Sequence, residues 1–314
     1  MTQRKYRLYL EFCAGGDLYH AMDDHDHNWS LDNPDDEDEE LSALPSTFIW
    51  HVIKSLAISC LVLQHGTTAD KPVDGWRPIT HLDLQLPNVL LAMNDDRSDK
   101  VNEKTDVPAP DEPAVLPILS DFGVSFFSPD EQGCPLSDNP QDYLLDYIDT
   151  RYPPEIQIQH GPNFTPLGEK TDVWGIGRIA WSLIVHRLGD YGPVRDVRAY
   201  GDEFRKYEDF IPVSLDCRLN RKSNYEDTVL TGGGTFPAAR LYDDDLRGLV
   251  RRCLNLKQED RPTLREVLDM ATAALDGDEK VTTDLQDREE LGLTLSKHYN
   301  QFKIGQPLST TKQR

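Results

Sequence analysis

The run DVWGIGRIAWSLIVHRL, residues 172–188, is apolar on nearly every side of a helix. A helix of that kind has to be enclosed by other elements, because no face of it suits water. The chain must therefore wrap a core around these residues, and a hydrophobic share of 38% in 314 residues supplies the material. Residues 46–65 carry apolar side chains at 48, 49, 52, 53, 56, 57, 61 and 63, spaced for one long helix. Two more helices are expected at about 243–254 and 263–275, separated by the turn QEDRP. Extended structure is sparse. The aromatic-rich stretch YRLYLEF (6–12) predicts a short strand broken by Ala14-Gly15-Gly16, and LPILSDFGVSFF predicts a strand and turn. Asp17 is placed to cap a short helix ending near Met22. Residues 128–166, rich in Pro, Asp and Gly, read as irregular loop, and 192–240 show no clear period. The expected class is mainly α, within an α+β fold.

Charge narrows the function. The balance is 33 basic against 55 acidic residues, a formal −22. Binding to nucleic acid or to an anionic membrane needs a basic surface, so neither partner is expected. Ten of the acids fall in DDHDHNWSLDNPDDEDEE, residues 23–40, which contains no Lys or Arg and predicts a solvated, disordered insert over 23–45. The five cysteines, Cys13, Cys60, Cys134, Cys217 and Cys253, are scattered, with no CxxC pair. They suit a reducing intracellular compartment, cytoplasm or nucleus, better than a disulfide or zinc scaffold. The start, MTQRKYRLYLEF, has no apolar signal core. The longest apolar helix, from Phe48 to Leu63, is interrupted by His51, Lys54, Ser55 and Ser59, so no membrane span is expected.

Five short motifs follow one another: HLDLQLPN (81–88), DFG (121–123), YPPE (152–155), DVWGIG (172–177) and EDRPT (259–263). In this order they resemble the eukaryotic protein kinases of the Ser/Thr type. HLDLQLPN is similar to the catalytic loop HRDLKxxN, DFG to the metal-binding motif, and YPPE to the APE motif. LEFCAGGDL (10–18) resembles the hinge between the two kinase lobes. The resemblance spans about residues 6–276. It divides the chain into a last small-lobe strand and hinge (1–22), the insert (23–45), a helical large lobe (46–276) and a polar tail (277–314).

The resemblance implies transfer of the ATP γ-phosphoryl group to a protein hydroxyl. That reaction depends on positioning, Mg²⁺ and a carboxylate near the attacking oxygen. By this match Asp83 accepts the hydroxyl proton, Gln85 stands beside the transferred phosphate, and Asn88 and Asp121 hold Mg²⁺ through hard oxygens. Glu11 and Cys13 are matched to adenine through their backbone, Asp17 to ribose, and Leu90 to the apolar floor under the base. His81 and Phe122 are implied to stack between the loop and the buried helix. Asp172 is implied to bind the loop backbone, and Glu155 and Arg261 to form a buried ion pair.

The same residues have plainer readings. Asx residues such as Asp83 and Asn88 also cap turns, and Leu90 also suits a core strand. Gly175-Ile-Gly177-Arg-Ile-Ala180 fits a dinucleotide fingerprint by letter but sits inside a helix, without the strand and turn that fingerprint needs. His25 and His27 belong to the acidic run, and Thr231-Gly-Gly-Gly-Thr235 reads as flexible loop. Two positions depart from the kinase pattern. Leu82 stands where many kinases have Arg, and Gln85 where they have Lys. The Gly-rich loop, the strand Lys and the helix Glu that usually precede the hinge have no counterpart among these residues, so weak activity is expected. Residues 4–12 are expected either to fray or to pair with another chain. The rival expectation is a non-catalytic interaction protein that docks protein partners through its helical lobe and acidic insert.

Overall fold

The computed structural model describes residues 10, 12–24, 44–93, 115–127, 152–157, 167–185, 194–196, 210–212 and 242–277. Glu11, most of the predicted 6–12 strand, most of the 23–45 insert, residues 94–114, most of the 128–166 stretch read as loop, His25, His27, the 231–235 glycines and residues 278–314 lie outside the described residues. The described part is mainly helical with a few short strands.

Helix α1 covers residues 18–24. Asp17 caps it, its Oδ1 accepting from the His20 N–H at 3.0 Å. Helix α2, Ser46–His65, follows the predicted span and ends at Gly66. There φ is +73°, a conformation that glycine takes without strain, and a β-carbon would stand 2.7 Å from the Trp76 ring. By length and composition α2 could cross a membrane, but half of that apolar window is buried inside the fold. It packs mainly against the helices Glu169–Val185 and Leu264–Gly277 and the strand Val115–Leu119, and also touches Ile79–Thr80.

Short antiparallel ladders come next. β1 (Ile79–Thr80) pairs with β4 (Phe126–Phe127), Thr80 opposite Phe126. β2 (Val89–Met93) pairs with β3 (Val115–Leu119), Val89 opposite Leu119. β5 (Val194–Asp196) and β6 (Phe210–Pro212) pair with each other, in a stretch where the sequence shows no strand period. Leu10 and Phe12 are not in a strand, and both are exposed. This corrects the expected hinge strand at those two positions. The chain instead reaches β2 at Gly15 and Gly16, where the Gly15 N–H donates to the Leu91 carbonyl (2.9 Å) and the Leu91 N–H to the Gly16 carbonyl (2.8 Å).

After the short helix α3 (Pro154–Gln157), α4 (Glu169–Val185) is the enclosed helix that its composition demands: every residue from Thr171 to Val185 is buried. α5 (Asp244–Cys253) starts at Asp243, whose carboxylate caps the Leu246 N–H at 2.6 Å. α6 (Leu264–Gly277) starts with a capping box in which Thr263 and Glu266 satisfy each other's backbone N–H groups.

The two glycines of the dinucleotide-like string are packing devices. A β-carbon on Gly175 would lie 2.6 Å from the Leu84 Cβ, and one on Gly177 would lie 2.6 Å from the Cys253 Cβ. Their smallness lets α4 touch the 81–88 loop on one side and α5 on the other. Gly177→Ala is expected to push α5 away and cost about 1–3 kcal/mol by overpacking, read as a lower urea midpoint. An unchanged midpoint would show that the α4–α5 contact can give way freely.

Candidate functional site

Topology brings the site together. The 81–88 loop runs from β1 to β2, and the 120–125 loop runs from β3 to β4. Because β2 pairs with β3 and β1 with β4, the two loops are stitched face to face at both ends. Within the first loop, three leucines alternate with polar residues. Leu82, Leu84 and Leu86 are buried, while Asp83 and Gln85 are half-buried. With the leucines turned into apolar surroundings, Asp83 and Gln85 stay half-exposed and close enough to bond each other.

Hydrogen bonds then fix the polar groups. Asn88 Nδ2 donates to both the carbonyl and the carboxylate Oδ2 of Asp83, each at 2.9 Å. Gln85 Nε2 donates to the same Oδ2 at 3.0 Å. The Asn88 main-chain carbonyl accepts from Ser120 twice, from N–H at 2.8 Å and from Oγ at 3.0 Å. Ser120 immediately precedes Asp121, so these bonds bring the Asp83–Asn88 pair alongside the backbone that carries Asp121. Asp121 is exposed, has φ +60°, and accepts the Gly123 N–H on Oδ1 at 3.1 Å.

His81 is the post between the loops. Its ring Nε2 lies 3.0 Å from the Ser120 carbonyl, and its Nδ1 accepts the Asp83 N–H at 3.3 Å. These partners assign the proton to Nε2 and require a neutral ring. Burial acts in the same direction and lowers the His81 pKa. The ring meets Phe122 edge to face at 5.0 Å.

Asp172, fully buried at the start of α4, accepts the N–H groups of His81 (3.0 and 3.1 Å) and Leu82 (3.1 Å). These bonds hold Leu82 at φ +66°, an uncommon conformation for a bulky side chain. Burial pushes the Asp172 carboxyl up to about 7, while the backbone donors from His81 and Leu82 oppose it. Between about pH 4 and 7 the folded protein therefore holds a proton that the unfolded chain has released. The contribution of this group to stability falls as pH rises through that window. Wild type should gain on Asp172→Asn in urea midpoint as pH is lowered from 7 to 5. A difference independent of pH would contradict this.

Glu155 and Arg261 form a fully buried bidentate pair at 2.7 Å on both arms. Arg261 also donates to the carbonyls of Asn255 (2.7 Å), Lys170 (2.9 Å) and Leu256 (3.1 Å), and it stacks over Trp174 at 4.9 Å. All five guanidinium N–H groups are thus used.

The residues matched to a nucleotide base are less closely assembled. Cys13 is buried, Leu90 is half-buried and bridges to Asp17, and Glu11 lies outside the described residues. The Asp17 carboxylate already has partners: the helix cap and His20 Nδ1 at 2.7 Å. Any ribose hydroxyl would have to compete with His20.

For a divalent metal, the donor chemistry fits at two positions. Asn88 commits its amide nitrogen to Asp83, so its amide oxygen remains available, and Asp121 is an exposed carboxylate. Both are hard oxygens suited to Mg²⁺ that keeps water and phosphate ligands. Among the described residues, no group of three or more His, Cys, Asp or Glu could hold a metal by itself. Two contributors went unnoticed in the sequence. Ser120 joins the two loops, and Ser125 donates its hydroxyl to the His81 carbonyl at 3.2 Å. The position of Ser120 directly before DFG was the one available signal. Compared with known proteins, the chain matches no family model and no curated protein sequence.

Proposed function

We propose that this chain is the helical lobe of a kinase-like phosphotransferase that moves the γ-phosphoryl group of ATP to a protein hydroxyl. The observation that carries the proposal is the bonded array Asp83–Asn88–Ser120, which joins two loops far apart in sequence and sets Asp121, the next residue, beside it. Two further features support it. Asp172 grips the backbone of the catalytic-loop candidate, and Glu155–Arg261 ties the 152–157 turn to the chain before α6.

In this reading Asp83 faces the acceptor hydroxyl. A small cleft beside it is lined by Leu82, Gln85, Tyr152, Pro153, Thr171 and Trp174. The hydroxyl oxygen forms the new P–O bond, the bond to the β-phosphate oxygen breaks with loss of ADP, and the hydroxyl proton passes to Asp83. Gln85 and Asn88 hold Oδ2 of that carboxylate in place, which leaves Oδ1 to take the proton. Asn88 and Asp121 would hold Mg²⁺, which when bound supplies charge neutralisation to the phosphates. Gln85 offers a hydrogen bond but no charge. A missing preorganised cation costs on the order of 3 kcal/mol, about a hundredfold in rate, so slow turnover is expected.

Two measurements test the reading. Millimolar Mg-ATP should raise the melting temperature by mass action, and label from γ-labelled ATP should appear on hydroxyl-containing peptides. A second reading, a lobe that binds protein partners without catalysis, is favoured by one observation: neutral Leu82 and Gln85 leave Asp83 without a cationic neighbour in its own loop. No thermal shift together with no label transfer would select that second reading.

A further inference from the structure

Apart from the main core, the fold contains a second, smaller apolar cluster. Leu82, Ile156 and Leu167 are buried in it, and Phe126 and Tyr152 pack against it. These residues come from four separate places: the 81–88 loop, β4, the 152–157 turn and the chain just before α4. Its neighbours in the same loop, Leu84 and Leu86, belong to the main core instead. Leu82 is therefore held on two sides. Asp172 binds its backbone, and the small cluster takes its side chain.

The left-handed φ of Leu82 gives this arrangement its meaning. At φ +66° a glycine or asparagine would be at ease and a leucine is not. A strained residue persists where its surroundings over-determine it. Here the compensation is the buried side chain, which is 6% exposed. The next residue is Asp83.

We infer that Leu82 is a positioning residue: its side chain is an apolar clasp that ties β4 and the 152–157 turn to the loop carrying Asp83. The clasp contains no charged group, so it forms without an anion or a modification to recruit. Its catalytic consequence rests on the phosphotransferase reading; its structural consequence does not.

Hydrogen exchange on the full chain tests it with three variants. Leu82→Ala deletes most of the side chain and keeps the strain. Leu82→Gly deletes it and relieves the strain. Leu82→Met keeps an apolar side chain of similar volume. In both the Ala and Gly variants, amides at 81–85, 125–127 and 155–157 should exchange at least about tenfold faster, while those of α2 stay unchanged. Leu82→Met should behave as wild type. Where label transfer is measurable, Leu82→Ala should lower kcat about tenfold or more with KM for Mg-ATP unchanged, and Leu82→Met should restore it. Unchanged local exchange in the Ala and Gly variants, or an equal rise throughout α2, would overturn the clasp. If wild type transfers no label, the phosphotransferase reading fails, and the exchange pattern still decides the clasp.

Discussion

Glu155→Ala is expected to destabilise the protein by about 3–5 kcal/mol, read as a lower urea midpoint. The reason is the state in which it leaves Arg261. Both side chains of the pair are completely buried, and the guanidinium has no route to water. Removing the carboxylate strands a buried cation and leaves two of its N–H groups without acceptors, and that penalty is far larger than the net worth of an ion pair. Against a typical total stability of about 5–15 kcal/mol, the loss is severe. Removing both charges should hurt less than removing one, so Glu155→Leu combined with Arg261→Met is expected to be more stable than Glu155→Ala. A loss below about 1 kcal/mol in the single variant would mean that Arg261 escapes to solvent and that the 152–157 turn is not anchored as described.

The second large effect concerns chemistry. Asp83→Asn should lower label transfer by about 10²–10⁴-fold, the usual contribution of a positioned general base. The amide is nearly isosteric, so the melting temperature should move little. Two donors, Gln85 Nε2 and Asn88 Nδ2, converge on Oδ2 and can still bond the amide oxygen. The thermal shift with Mg-ATP should persist as well, because Asn88 and Asp121 are untouched. Transfer at the wild-type rate in Asp83→Asn would remove Asp83 from the mechanism.

The helices were legible because their apolar residues repeat at the right period. The span 46–65 coincides with α2, and the enclosed character expected of 172–188 is met by α4 as far as Val185, the last described residue of that stretch. The start of α4 was placed three residues late, because its first residues, Glu169, Lys170 and Thr171, carry no apolar signal. They are fixed by long-range bonds instead, such as Glu169 accepting the Leu264 N–H at 2.6 Å. The β5–β6 ladder went unread for a related reason: strands of three residues are too short to show a period of two.

The candidate site was legible as letters and not as geometry. The five motifs named Asp83, Asn88, Asp121, Asp172, Glu155 and Arg261; the structure bonds Asn88 to Asp83 and to the residue before Asp121, Asp172 to the 81–82 backbone, and Glu155 to Arg261. What could not be read was whatever depends on a neighbour distant in sequence. Ser120 bridging to Asn88 is one case, Leu82 joining a small cluster is another, and Gly175 and Gly177 pressed against Leu84 and Cys253 are a third. Asp17 was legible as the cap of α1, which the His20 N–H bears out, whereas its second partner, His20 Nδ1, is a side-chain contact that a capping position alone does not specify.

The most direct measurement is paramagnetic broadening by Mn²⁺ with ATP, followed on backbone amides of the isotope-labelled chain. A shared metal and nucleotide position held by Asn88 and Asp121 predicts selective loss of signal from residues 83–90 and 120–123, with α5 and α6 unaffected. Broadening confined to other acidic stretches, with those two loops untouched, would contradict it.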